Sequence, residues 1–213
     1  YITANTAYWL AGDLNVKYNE VEMASELYKI AEEQLEKHGS KRFAAVAKLR
    51  KEYLKALFDK RENRKEDAVD SVLTVIQQYS EYDEFCIDTY SVLGSIEKVI
   101  ELEIELFTEG DTSVEDVIDV LECVNENIPS EEQVPDRETE RRNDIVLLVE
   151  GALAEFTGRK LQREHTSKSE PVNNQILHQF STAAEKYKDC GKNEYEYRVK
   201  DLIHELQLTS TSR

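Results

Sequence analysis

The chain has 213 residues, 40% of them hydrophobic, and carries a formal charge of -17 with only 7 Gly and 3 Pro. That is enough apolar material to bury a core, so a disordered chain is excluded, and the acidic balance opposes nucleic-acid binding by the chain as a whole. Three widely separated cysteines, Cys86, Cys123 and Cys190, exclude a disulfide framework or zinc ribbon and fit a reducing compartment, cytoplasmic or nuclear.

No apolar run of about 18 residues and no basic-then-apolar leader occurs, so neither a membrane span nor a signal peptide is expected. The chain begins at Tyr1 rather than Met, which fits an excised fragment. All three prolines lie between Pro129 and Pro171, so no proline interrupts a helix before them.

Apolar residues recur at helical spacing almost throughout, and the alternation of a strand does not persist, so an all-α class is expected. The first predicted helix, near Ile2 to Leu14, carries Tyr8, Trp9 and Leu10. The second runs from about Lys17 to His38 with Val21, Ala24, Leu27, Tyr28, Ala31 and Leu35 on one face, and Gly39 supplies a left-handed stop. The third, about Ser40 to Asp59, aligns Phe43, Val46, Ala47, Leu54 and Leu57, and pairs with a fourth bearing Ala68, Val69, Val72, Leu73 and Ile76.

A fifth helix, Asp83 to Thr108, aligns Cys86, Tyr90, Leu93, Ile96, Ile100, Ile104 and Phe107 and ends at Gly110. Thr112 and Ser113, followed three residues on by Glu115 and Asp116, read as a capping start for the sixth, whose stripe is Val114, Val117, Ile118, Leu121 and Val124. These helices form an expected N-terminal block, 1–128. Residues 129–140 are predicted to be a proline-bearing linker or loop, and 141–208 a C-terminal hairpin region. That region begins with a seventh helix containing Ile145, Leu148, Val149, Ala152 and Phe156, with Gly158 late in it or at its end. A polar loop, 163–174, reads as disordered, and two last helices follow, near Gln175 to Asp189 and Asn193 to Leu208. About nine helices result, and the tail 209–213 has nothing to bury.

Residues Asn5 to Glu32 resemble a tetratricopeptide repeat, a helix hairpin with small and aromatic residues at fixed positions. Tyr8, Ala11 and Gly12 match the first-helix aromatic, apolar and glycine positions, and Ala24, Tyr28 and Ala31 match the second-helix alanine, aromatic and alanine positions. The closing proline of the family is missing, Asn15 stands where an aromatic is common, and later helices start at roughly 47-residue intervals against the family's repeat of about 34. The resemblance implies a right-handed stack of antiparallel helix pairs, an α-solenoid whose first helices line a groove for a peptide or partner helix. A generic helical bundle remains the alternative.

Chemistry is sparse. His38, His165, His178 and His204 have no metal-ligand spacing, and no phosphate loop or nucleophile elbow occurs, so no enzyme activity, metal or cofactor is expected. Cys86 and Cys123 fall on or beside apolar faces, and Cys190 is the cysteine expected to be exposed. Glu97, Glu101 and Glu105 form a strip of carboxylates one turn apart, either a solvated face or a seat for a basic segment.

Between Lys41 and Lys65 stand ten basic and three acidic residues, a basic block in an acidic chain. Lys41, Lys48 and Lys55 are heptad-spaced with Lys51 beside them, giving one cationic ridge that either binds an acidic partner or is a solvated basic face. Arg50, at about 100° per residue, falls within the apolar stripe and must snorkel, pair or meet a partner. Tyr8 and Trp9 pack in the core or anchor an interface. The expected function is a non-catalytic scaffold or adaptor module holding a protein or peptide partner, with a ligand- or peptide-responsive helical-repeat regulatory domain as the alternative.

Overall fold

Helical periodicity and the near-absence of glycine and proline from the apolar stretches leave the backbone one way to satisfy its hydrogen bonds, and the described residues are almost entirely helical, with no strand among them. The computed structural model describes residues 11–12, 20–39, 41–61, 65–80, 89–165 and 170–211. Eight α-helices are placed there: α1 (Val21–Lys37), α2 (Lys41–Arg61), α3 (Lys65–Ser80), α4 (Thr89–Glu109), α5 (Val114–Glu126), α6 (Thr139–Glu164), α7 (Glu170–Asp189) and α8 (Asn193–Thr211). The expected first helix, with Tyr8 and Trp9, lies outside the described residues apart from Ala11 and Gly12, which are helical.

The chain divides into two compact units. One comprises Tyr1–Leu102 and Pro129–Glu138, the other Glu103–Ile128 and Thr139–Arg213. The division falls inside α4, whereas the prolines had suggested a linker after residue 128. Within each unit, the helices in extensive contact among the described residues are consecutive in the chain: α1 with α2 and α2 with α3 in the first, α5 with α6, α6 with α7 and α7 with α8 in the second.

In the first unit small residues set the distance between helices. Ala31 and Leu35 of α1 pack with Ala44 and Ala47 of α2 in one buried cluster. Ala24 and Tyr28 are buried with them, and a Cβ on Gly12 would stand 2.6 Å from the Tyr28 ring. Glycine is the only residue that fits so close to that ring. Phe43, expected on the buried stripe of α2, is 46% exposed, and Ala44 is buried in its place. In the first turn of the helix the inward direction belongs to the small side chain that permits close approach. Gly39, at φ +76°, closes α1 as expected.

The loop between α5 and α6 is built rather than slack. It forms two short 3-10 turns, Glu131–Gln133 and Asp136–Glu138, the Ser130 N–H donates to Gln133 Oε1 at 2.9 Å, and Val134 is buried. Residues 139–140, assigned to the linker from sequence, are already helix.

In the second unit α4 ends where Asp111 N–H donates to Leu106 O at 3.0 Å, with Gly110 at φ +85°. Ser113 then caps α5: its hydroxyl accepts from Asp116 N–H at 3.2 Å while its own N–H donates to Asp116 Oδ2, also at 3.2 Å. Val114, Val117, Leu121 and Val124 form the buried face of α5, and Ile145, Leu148, Val149, Ala152 and Phe156 that of α6. Gly158 lies late in the helix, as expected, with α6 continuing to Glu164. The polar stretch 163–174 is helical on both flanks, because Pro171 lies in the first turn of α7, where its missing N–H costs no intrahelical bond. Residues 166–169 lie outside the described ones, and helix α8 extends to Thr211 where a free tail was expected.

Two substitutions test this packing. A Cβ at Gly158 would stand 2.7 Å from Cε1 of the fully buried Phe180. Overpacking of about 1–3 kcal/mol then outweighs the roughly 1 kcal/mol that alanine gains in a helix. Gly158→Ala is expected to lower the urea unfolding free energy, and to do so more than Gly151→Ala, whose Cβ would meet the Tyr187 ring at 3.1 Å. At the α5 cap, the Ser113 hydroxyl and then its N–H hold the Asp116 pKa below its ordinary value. The cap therefore stabilises the fold fully above the ordinary aspartate range and is lost as pH falls through the lowered value. Ser113→Ala should raise the Asp116 pKa, read by carboxyl NMR titration, and flatten that acid-side loss.

Candidate functional site

Glu155 lies in the middle of α6, a glutamate among apolar neighbours, and is completely buried. A carboxylate there must be paired and hydrogen-bonded to be tolerated. Arg159, one turn on, donates to its Oε1 from Nε at 3.0 Å and from Nη2 at 2.8 Å. From α8, Arg198 donates Nε to the same oxygen at 3.1 Å and Nη2 to Oε2 at 2.6 Å. The Tyr187 hydroxyl of α7 completes the set, donating to Oε2 at 2.9 Å. One carboxylate thus ties α6, α7 and α8 together with five donated hydrogen bonds.

Aromatic rings frame the cluster. The Arg159 guanidinium stands 5.2 Å from the centre of the Phe107 ring and 5.8 Å from that of Phe156, and these two rings meet edge to face at 4.9 Å. Arg198 stands 4.8 Å from the Tyr195 ring centre, and Tyr195 in turn contacts Tyr187 edge to face at 5.3 Å. Burial, followed by the Glu155 charge, holds the Tyr187 phenol well above its ordinary value, so it stays protonated and donates. Burial of Arg198 works against its charge, but Glu155 and then Tyr187 more than offset this and its pKa is raised. With Tyr187 neutral, two guanidinium groups and one carboxylate leave one net positive charge.

Two further ion pairs brace the same unit: Arg163 with Glu115 between α6 and α5, and Lys186 with Glu150 at 2.6 Å between α7 and α6. Both involve exposed side chains and contribute little to stability. On α8, Lys200 reaches back to the buried Glu196.

The sequence-predicted interface residues lie elsewhere. Tyr8 and Trp9 are outside the described residues. Lys41 and Lys55 are exposed on α2, Lys48 and Arg50 are half-buried, and Lys51 is held in an ion pair with Glu32 of α1 at 2.5 Å. Lys51 therefore braces the α1–α2 hairpin instead of standing in an open ridge. Lys55 lies 3.9 Å from Glu52 on its own helix. In the carboxylate strip, Glu101 accepts from Lys98 at 3.0 Å within α4.

Cys190, expected to be exposed, is half-buried, as is Cys123. Its thiol faces the Tyr187 carbonyl at 3.5 Å and burial raises its pKa, which disfavours the nucleophilic thiolate. Cys86 lies outside the described residues. Among the described residues no group of three or more His, Cys, Asp or Glu is placed to hold a metal, and no helix is long and apolar enough to cross a membrane.

Glu155→Gln keeps the shape and the Tyr187 hydrogen bond but leaves two partly buried guanidinium groups without a counter-charge, so denaturant unfolding should register a loss of about 3 kcal/mol. Tyr187→Phe removes one of five donors and is expected to cost about 1 kcal/mol. The raised Tyr187 pKa contributes stability that is fully present below the unfolded value of 10.0 and lost as pH rises above it. The alkaline fall in unfolding free energy should accordingly be shallower in Tyr187→Phe than in the parent chain. Compared with protein-family models, with curated proteins and with solved structures, the chain gives no match in any of the three.

Proposed function

We propose that this chain is a non-catalytic interaction module, a scaffold or adaptor whose stacked helix pairs present an extended surface to a segment of a partner protein. The observation that carries this reading is the packing pattern: the helix pairs in extensive contact among the described residues are consecutive in the chain. Such neighbour-to-neighbour stacking is how helical arrays turn short hairpins into broad binding faces. The close fit of Gly12 against Tyr28, with Ala24 and Ala31 buried beside it, supports the tetratricopeptide-like reading of the first hairpin.

The polar chemistry is consistent with this role. In the most concentrated charged cluster, Tyr187 and Arg198 join α7 and α8 to Glu155 of α6, and the half-buried Cys190 has a raised thiol pKa. On the first unit, Lys41 and Lys55 present positive charge on α2 in a chain of net charge -17, a contrast that suits an acidic partner segment.

Affinity capture of the tagged chain from its native extract should recover a stoichiometric protein partner. Recovery of small peptides alone would sink the scaffold reading in favour of a peptide-responsive regulatory domain. With a partner in hand, the triple substitution Lys41→Glu, Lys48→Glu, Lys55→Glu is expected to weaken binding about tenfold or more, with helicity by circular dichroism as the folding control. Unchanged affinity would remove the α2 ridge from the interface.

A further inference from the structure

We infer that Arg159 and Arg198 together form a receptor for one carboxylate group, supplied by an acidic side chain of the partner segment. The starting point is an excess. Two guanidinium groups bind the single carboxylate of Glu155, so the cluster holds one more positive charge than Glu155 neutralises, and both arginines are partly buried.

The geometry says where that charge is available. A guanidinium carries five N–H donors in one plane. Both arginines turn the same edge, Nε and Nη2, toward Glu155. Because both Nε atoms bond the same oxygen, the two groups stand side by side. The Phe107 and Phe156 rings lie against Arg159, and the Tyr195 ring against Arg198. What remains is the outer edge of each fork. Neither Nη1 has a protein partner among the described residues and neither is sealed from solvent, the side chains being 20% and 28% exposed.

Two fixed guanidinium edges are a pre-organised seat for a planar oxyanion, because their side-chain freedom is already spent on Glu155. The charge of the cluster selects the ligand. One surplus positive charge is balanced by one carboxylate, whereas a dianionic phosphate would bring one negative charge more than the cluster can balance. The global charge of -17 does not forbid approach: it is screened beyond about 8 Å at physiological ionic strength. The half-buried Phe107 and Tyr195 rings beside the forks offer apolar contact to the chain that bears the carboxylate.

The source of the carboxylate rests on the scaffold reading, but the seat can be tested without any partner. The whole chain, labelled with nitrogen-15, is titrated at constant ionic strength with sodium acetate, with sodium phosphate and with sodium chloride, following the arginine Nε–Hε NMR signals. Acetate should shift the Arg159 and Arg198 signals saturably where chloride does not. Arg198→Lys, which keeps the charge and loses the fork, should weaken acetate binding about tenfold, and Arg159→Lys serves the same purpose if that variant does not fold. A linear shift equal to that of chloride, or equal acetate affinity in the lysine variant, would overturn the receptor while leaving the scaffold reading standing. Tighter binding of phosphate than of acetate would overturn the assignment to a carboxylate.

Discussion

Two helices can share a buried face only as closely as the bulkiest side chain between them allows, and in both units that limit is set by residues with little or no side chain. Ala31, Ala44 and Ala47 set it between α1 and α2. Gly151 and Gly158 set it between α6 and α7, where Tyr187 and Phe180 lie against bare backbone. The large rings fill space opened by the small residues opposite, so apolar area is removed from water without spreading the helices. The polar network depends on that spacing as well. Tyr187 reaches Glu155 with its ring close against Gly151, and a wider gap would leave a buried carboxylate one donor short.

Glu155 stands out because a polar core group rarely improves stability over a well-packed apolar one, whereas it does narrow the choice of arrangement. A leucine at this position would be content against many neighbours. A carboxylate that needs donors from Arg159, Tyr187 and Arg198 accepts one register of α6, α7 and α8 and rejects slipped ones. In the first unit the same role falls, in weaker form, to the Lys51–Glu32 pair between α1 and α2.

Much of the fold was legible in the sequence because helices are local. The stripe Val114, Val117, Leu121, Val124, whose other expected member Ile118 is half-buried, the Ser113–Asp116 cap and the stops at Gly39 and Gly110 each depend on residues within a turn or two. Errors arose where a local signal has two meanings. Pro171 reads as a breaker but serves as a first-turn residue, and Phe43 sits at helical spacing on a stripe whose inward place Ala44 occupies. The candidate site was illegible for a different reason. Glu155 and Arg159 are an ordinary i, i+4 pair in a chain with 44 acidic residues, and what distinguishes them is Arg198, 43 positions away. The one visible clue is that Glu155 falls on the same face as Leu148 and Ala152, a polar intrusion of the same kind as Arg50 on α2.

The boundary between the units, inside α4 rather than at the proline-bearing loop, bears on how the molecule is made. The first unit includes Pro129–Glu138, which is synthesised after α5, a helix of the second unit. As the chain emerges, the last segment of the first unit appears only after Glu103–Ile128 of the second, so no single cut of the chain separates the two units.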